Sequence, residues 1–254
     1  MMQESVSRFC GLASTYHKYR PGYPDKVIKI LREEAGLSPR HFIADIGSGT
    51  GLSCIPFLKN GNVVYGIEPN PEMRELAKEE LKDYSRFLQL PGTAESPGMP
   101  AGTVDFVLVG QALHWFNLDK SKKSLKEITK KGGYLAIIWQ ERLIETEFME
   151  RLEQMIFDYS IDYSEVDYRK VRKEDIRKFF HPYRYKEQSF PYKQEFDKEG
   201  LKGRLLSCSY LPVRSDHPDY NDMINKIEEL FDHYNEDGKV TIPYNCKMYY
   251  GQFK

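Results

Sequence analysis

The chemistry of this chain concentrates in seven residues, Asp45-Ile46-Gly47-Ser48-Gly49-Thr50-Gly51. They follow directly on the apolar run HFIADIG (41–47) and lead into a stretch of helical composition, Thr50 to Lys59. Glycines at this spacing let the backbone pass close to a ligand and adopt dihedrals that other residues resist. In an open α/β sheet the first strand-to-helix turn is a topological switch point, where nucleotide ligands bind. Dinucleotide folds use GxGxxG and seat a pyrophosphate on the helix N-terminus. Here the spacing is DxGxGxG, and a carboxylate stands within it at Asp45. That charge repels a pyrophosphate in a low-dielectric cleft and suits a ligand bearing an ammonium and a sulfonium. A second acid, Glu68, lies 17 positions after Gly51, at the end of the next apolar run, NVVYGIE (62–68). An acid there accepts hydrogen bonds from ribose hydroxyls, as both ligand classes require. A plain glycine-rich turn is the alternative, and the combination of strand, turn, helix and Glu68 weighs against it.

The surrounding pattern predicts the elements that hold these residues. Asp25 to Ala35 reads as a helix with Val27, Ile28, Ile30 and Leu31 on one face, stopped by Gly36. Short apolar runs at 41–47, 62–68, 87–90, 104–109 and 134–139 read as strands. Helices are predicted between them at 50–59, where Pro56 is a mild objection, at 71–81 and over LDKSKKSLKEITKK. This alternation implies βαβ units, a parallel sheet and right-handed crossovers. Beyond residue 140 the rhythm loosens. Helices are expected at 144–159, 165–180, 201–210 and 220–234, and alternating strands at 183–196 and 239–253. The reading is one domain over 1–254, with an N-terminal lid segment over 1–36 and a helical insertion around 142–180.

Composition narrows the classes. In 254 residues, 37 basic and 38 acidic side chains leave a formal charge of -1, which argues against a dedicated nucleic-acid binder. Residues 169–204 nevertheless hold 12 Lys/Arg against six Asp/Glu, read here as a solvated face rather than an RNA surface. The four cysteines, Cys10, Cys54, Cys208 and Cys246, are widely spaced with no CxxC pair, so reduced thiols are expected and no metal site. No apolar h-region opens the chain and no 18-residue apolar run occurs, so a cytoplasmic protein without a membrane segment is expected.

On these residues the chain resembles the class I S-adenosylmethionine-dependent methyltransferases, in the small-molecule group that includes the trans-aconitate and ubiquinone/menaquinone-type enzymes. IADIGSGTG carries the resemblance first. GIEPNPEM (66–73) resembles the second motif, and GTAESPGMP (92–100) the GxAExLP segment. VDFVLVGQALHWF (104–116) is similar to the fourth-strand motif of one subgroup, and YHKYRPGYP to its N-terminal segment. SCSYLP and YNCKMYYGQF also fit, so the likeness spans nearly the whole chain and is weakest around 142–180. It implies a Rossmann-like three-layer sandwich whose seven-stranded, mostly parallel sheet has an antiparallel last strand. It implies S-adenosyl-L-methionine as cofactor. Gly47, Ser48, Gly49 and Gly51 would cradle its methionine and ribose part, with Asp45 stabilising that region directly or through water. Glu68 would hold the ribose, Met73 would pack near the adenine, and Thr93, Ala94 and Glu95 would surround its edge. Gln111 would sit beside the methionine, and Tyr16 and Arg20 would close over the cofactor. Ser96-Pro97-Gly98 departs from the family's acidic-Leu pair and loosens the assignment of Glu95.

Methyl transfer from a sulfonium is an in-line displacement in which the protein supplies position and electrostatics. Tyr19, Tyr23, His114 and Trp115 are expected to form the acceptor pocket, with Phe116 a further apolar wall. His114 is the candidate general base, against a structural role in the pocket wall. No NPPY-like segment or Pro-Cys follows the fourth strand, which speaks against adenine-N6, glutamine-N and cytosine-C5 chemistry. The expected partner is a small-molecule acceptor methylated on O or N, with no membrane and a monomeric or homodimeric state. The alternatives are an RNA or protein methyltransferase, resting on RKVRKEDIRK (169–178), and a non-catalytic cofactor-binding protein. A nicotinamide dehydrogenase comes last, because Asp45 opposes it.

Overall fold

The computed structural model describes residues 11–161 and 171–254. Cys10, the first residues of the expected lid, Arg169 and Lys170 of the basic run, and the middle of the expected insertion lie outside the described residues.

A seven-stranded sheet organises the chain. Its strands are β1 (Phe42–Ile46), β2 (Val63–Glu68), β3 (Phe87–Pro91), β4 (Val104–Gly110), β5 (Thr129–Arg142), β6 (Lys186–Phe196) and β7 (Val240–Gln252), in the order β3-β2-β1-β4-β5-β7-β6. The pairs β1·β2, β1·β4, β2·β3 and β4·β5 are parallel, whereas β7 runs antiparallel to both its neighbours, β5 and β6. The fold is therefore the Rossmann-like α/β sandwich that the alternating pattern implies, with its last strand inserted between the two before it.

Period-two alternation assigns each strand residue to a face. On one face Ile43, Phe106, Leu108, Ala136 and Ile138 pack against Val27 and Leu31 of α2 (Lys26–Ala35) and Phe57 of α3 (Cys54–Lys59). On the other, Ala44, Ile46, Val107, Val109, Leu135 and Ile137 meet Leu125 and Ile128 of α5 (Leu118–Ile128) and Phe179 and Phe180 of α7 (Lys173–Phe180). The helix α4 (Pro71–Glu80) starts from an Asn70 cap, whose side chain accepts a bond from the Met73 N–H at 3.2 Å. A third apolar cluster joins α6 (Glu147–Tyr159), α8 (Lys198–Leu206) and α9 (Tyr220–Tyr234) through Leu152, Ile156, Leu201, Leu205, Ile227 and Phe231.

Several boundaries moved. The helix after the glycine segment begins only at Cys54, because Gly49 and Gly51 take left-handed dihedrals that a helix cannot continue through. Pro56 is accommodated in its first turn, where no N–H is required. The expected N-terminal lid segment also contains helix α1 (Ala13–Tyr19), which ends before Pro21. Cys54, Cys208 and Cys246 are buried free thiols. Among the described residues no helix is long and apolar enough to cross a membrane.

Candidate active site

The site opens at the carboxyl ends of β1, β2, β4 and β5, the switch-point edge of the sheet. Two contiguous cavities lie there. The first, of about 790 Å³, is lined by Gly47, Gly49, Glu68, Met73, Thr93, Ala94 and Glu95. The second, of about 1070 Å³, is lined by Ser48, Thr50, Tyr23, His114, Gln140 and the guanidiniums of Arg20, Arg142 and Arg204. Tyr16, Gly47, Gly49, Gly110, Gln111 and Trp115 border both.

The loop that divides the cavities is shaped by glycine. Gly47 and Gly49 have φ of 69° and 55°, in the left-handed region that disfavours a side chain. The Gly49 N–H donates to Glu68 Oε2 at 3.0 Å, and the Asn70 N–H donates to Oε1 at 2.9 Å. Glu68 thus ties the glycine loop to the end of β2. Burial pushes its carboxyl up, against the opposing pull of those two N–H groups and Arg74. Beneath the loop Asp45 is fully buried. It accepts from Ser53 Oγ at 2.5 Å and from Cys54 Sγ at 3.1 Å, and burial raises its carboxyl to about 6. The other Asp45 oxygen, Ser48 Oγ and Thr50 Oγ1 are buried with no hydrogen-bond partner among the described residues. Buried polar atoms without partners are costly, and here they gather around one loop that borders two cavities. They fit a ligand with cationic and hydroxyl groups.

Gln111 follows the last residue of β4 with φ 52°, and its side chain bonds the backbone of Gln140 twice, accepting at 3.0 Å and donating at 3.3 Å. That clamp fixes the ends of β4 and β5 side by side. Gln140 in turn donates to the Gly22 carbonyl at 2.5 Å, which fastens the N-terminal segment over the site. Tyr23 lies so close to β4 that a Cβ on Gly110 would stand 2.6 Å from its hydroxyl. His114 sits on a short 3-10 turn, Leu113–Trp115, between the rings of Trp115 (4.6 Å) and Trp139 (5.7 Å).

The structure brings most of the expected residues to this edge. It moves three of them out of the cavity walls. Gly51 lines neither cavity: a Cβ there would stand 2.5 Å from Leu81 Cδ1, so the glycine serves loop-to-α4 packing. Asp45 lies under the loop rather than on its surface, because its side chain points to the sheet face covered by the start of α3, where Ser53 and Cys54 hold it. Tyr19 is absent from the second cavity and packs on α8, where its ring covers Gly203.

Conversely, Arg142, Arg204, Gln140, Tyr210 and Tyr244 line the second cavity without having been singled out. They come from β5, α8, the loop after α8 and β7; Tyr210 and Tyr244 fall in SCSYLP and YNCKMYYGQF, segments to which no role was attached. A further signal was an arginine at position 204 amid the apolar Leu201, Leu205 and Leu206. Acids from elsewhere match part of the basic excess of 169–204: Lys186 pairs with Glu34, Lys198 with Asp232 and Lys202 with Glu228, while Lys173 pairs with Glu187 inside the segment.

Comparison with known proteins agrees with this geometry. Residues 44–137 match the methyltransferase domain family. An uncharacterized methyltransferase of Mycobacterium tuberculosis is 30% identical over 134 residues, 53% of this chain and 52% of that protein. A Saccharomyces cerevisiae protein named as a probable S-adenosylmethionine-dependent methyltransferase is 30% identical over 158 residues, 59% of this chain and 51% of the relative. These matches thus span about half the length of the curated relatives. A solved structure from Anaeromyxobacter dehalogenans, named as a candidate type II methyltransferase, superposes with a TM-score of 0.66. It shares 18% identity and covers 92% of this chain and 98% of that one, a likeness of fold.

Proposed function

With residues 44–137 a class I methyltransferase domain as premise, we propose that this chain binds S-adenosyl-L-methionine and methylates an oxygen or nitrogen of a small-molecule acceptor. The observation that carries the reading is the glycine loop joined by Glu68, with buried unsatisfied oxygens of Ser48 and Thr50 beside it.

Each residue has a role in that reading. Glu68 and the loop of Gly47, Ser48 and Gly49 hold the ribose and methionine part. Met73, Thr93, Ala94 and Glu95 form the adenine cleft. Asp45, ionised by a nearby cation, supplies a negative charge beneath the loop. Tyr16 and Arg20, held 4.9 Å apart as a ring–guanidinium pair, close the cleft from α1. When bound, the cofactor supplies an electrophilic methyl group on sulfur. The protein holds the acceptor in line and keeps water out, which is how fixed geometry lowers such a barrier. His114 lines the acceptor cavity and is in place to take a proton from a hydroxyl or ammonium acceptor.

Two observations support a small acceptor over a macromolecule. The cavity beyond the loop is closed over by Tyr16 and the Gly22 segment, and Lys173, Lys186, Lys193, Lys198 and Lys202 are paired with acids. Isothermal titration with S-adenosylhomocysteine tests the reading: micromolar binding by the wild type and none by Gly49→Arg is the expected result. An absence of binding by the folded wild type refutes it.

A further inference from the structure

The two cavities have opposite electrostatic character. Glu68 and Glu95 line the first, whereas among the described residues no Asp or Glu lines the second, whose walls include Arg20, Arg142 and Arg204. Arg20 belongs with the lid beside Tyr16. Arg142 and Arg204 come from the end of β5 and from α8 and do not border the first cavity. Arg142 pairs with Glu153 at 2.8 Å and approaches the Tyr210 hydroxyl at 3.4 Å. Arg204 is 3% exposed and donates to the Tyr244 hydroxyl (3.3 Å) and to Cys208 Sγ (3.2 Å), with no carboxylate partner among the described residues. A guanidinium cannot shed its proton, so its burial demands a counter-charge. Burial raises the Cys208 thiol, yet Arg20, Arg204 and Arg142 together outweigh that and bring it down to about 7. Arg204 is thus a buried fixed charge that no carboxylate among the described residues offsets.

Resting on the methyltransferase reading, we propose that Arg142 and Arg204 form an oxyanion subsite that holds a carboxylate or phosphate of the acceptor. The guanidinium fork matches both groups, whereas the Tyr244 hydroxyl is already committed as a donor to Gln194 Oε1 at 2.9 Å. The subsite selects an anionic small molecule against a neutral one and anchors it at the end of the cavity away from the adenine cleft.

The test is calorimetric titration of the full chain saturated with S-adenosylhomocysteine, using tricarballylate, glycerol 3-phosphate and the neutral trimethyl ester of tricarballylate. One of the two anions is expected to bind at about 1 mM or tighter, with the ester at least about tenfold weaker. The anion that binds tells a carboxylate source from a phosphate one. Arg204→Met is expected to weaken that anion about tenfold or more and leave S-adenosylhomocysteine within about threefold. Should Arg204→Met fail to fold, Arg142→Lys, which keeps the charge beside Glu153 but not the fork, is expected to weaken the anion about threefold or more. Failure of both anions to bind the wild type, equal binding of the ester, or wild-type anion affinity in the folded variants overturns the subsite. Should S-adenosylhomocysteine itself not bind, the methyltransferase reading falls. The same titrations on the free protein then decide the subsite separately.

Discussion

The ring of Tyr19 fills the space that a side chain at position 203 would need: a Cβ on Gly203 would stand 2.2 Å from Tyr19 Cε2. This contact seats α1 on α8 and thereby sets where Tyr16 and Arg20 hang over the cleft. Alanine in a helix gains about 1 kcal/mol over glycine. A contact this short costs more, about 1–3 kcal/mol, because the obstacle is a packed ring. Gly203→Ala is expected to lower the melting temperature by several degrees and to weaken S-adenosylhomocysteine binding. Unchanged values for both, by scanning calorimetry and titration, contradict the seat.

The glycines of the loop divide into two kinds. Gly49 has open space where a Cβ would go, whereas a Cβ on Gly51 would meet Leu81 at 2.5 Å with φ 84°. Gly49→Arg is therefore expected to keep the fold, at a cost of about 1 kcal/mol for its left-handed backbone, and to abolish cofactor binding. Gly51→Ala is expected to lose about 2–4 kcal/mol of stability in denaturant unfolding and to retain binding while folded. The reverse pattern would reassign both residues.

Asp45 makes the free protein sensitive to pH. Its carboxyl stands at about 6 when folded, above the value of about 4 expected in the unfolded chain, so the folded state binds the extra proton between these values. Its contribution to stability is full below about pH 4 and is lost as pH rises through about 6, to the extent of about 3 kcal/mol. Asp45→Asn is expected to flatten that decline in chemical denaturation measured from pH 4 to 7. A cationic ligand favours the ionised carboxylate, so S-adenosylmethionine affinity of the wild type is expected to rise from pH 5 to 7, and that of Asp45→Asn to stay level. A level wild-type affinity counts against Asp45 as the counter-charge.

Glu68 binds two backbone N–H groups, at 3.0 and 2.9 Å, and lies on the wall of the first cavity. Glu68→Gln keeps the size but replaces one acceptor oxygen with a donor, which opposes an N–H or a ribose hydroxyl. A hydrogen bond to a charged group is worth about 1.5–3 kcal/mol, so cofactor affinity is expected to fall about 10- to 100-fold. Calorimetry on Glu68→Gln reads this directly, and a loss under about threefold removes Glu68 from the ribose role.

Much of the fold was legible because its elements are local. The strands at 42–46, 63–68 and 104–110 show as short apolar runs, and the helix at 71–80 as a capped, periodic stretch. The meeting of the glycine loop with Glu68 was equally legible, since they lie at adjoining strand ends and within one short span of sequence. The lining of the second cavity was not. Tyr19 looked like a neighbour of Tyr16 in sequence, but its ring is taken up against Gly203 of α8. Gly51 looked like its sister glycines until Leu81 was found against it.

The arginines mark where sequence reasoning stops and why. Periodicity and turn chemistry follow from covalent neighbours, so the order of strands, the switch-point edge and the acid beside the glycines can be read along the chain. Arg204 meets Cys208 four positions on, but Arg142 and Arg204, 62 positions apart, meet Tyr210 and Tyr244 because β7 inserts between β5 and β6 and α8 folds over that edge. Their shared positive field is a property of burial and proximity, and neither is encoded at any single position. Folding therefore creates the charge of the second cavity, whereas the glycine loop is written in one contiguous motif.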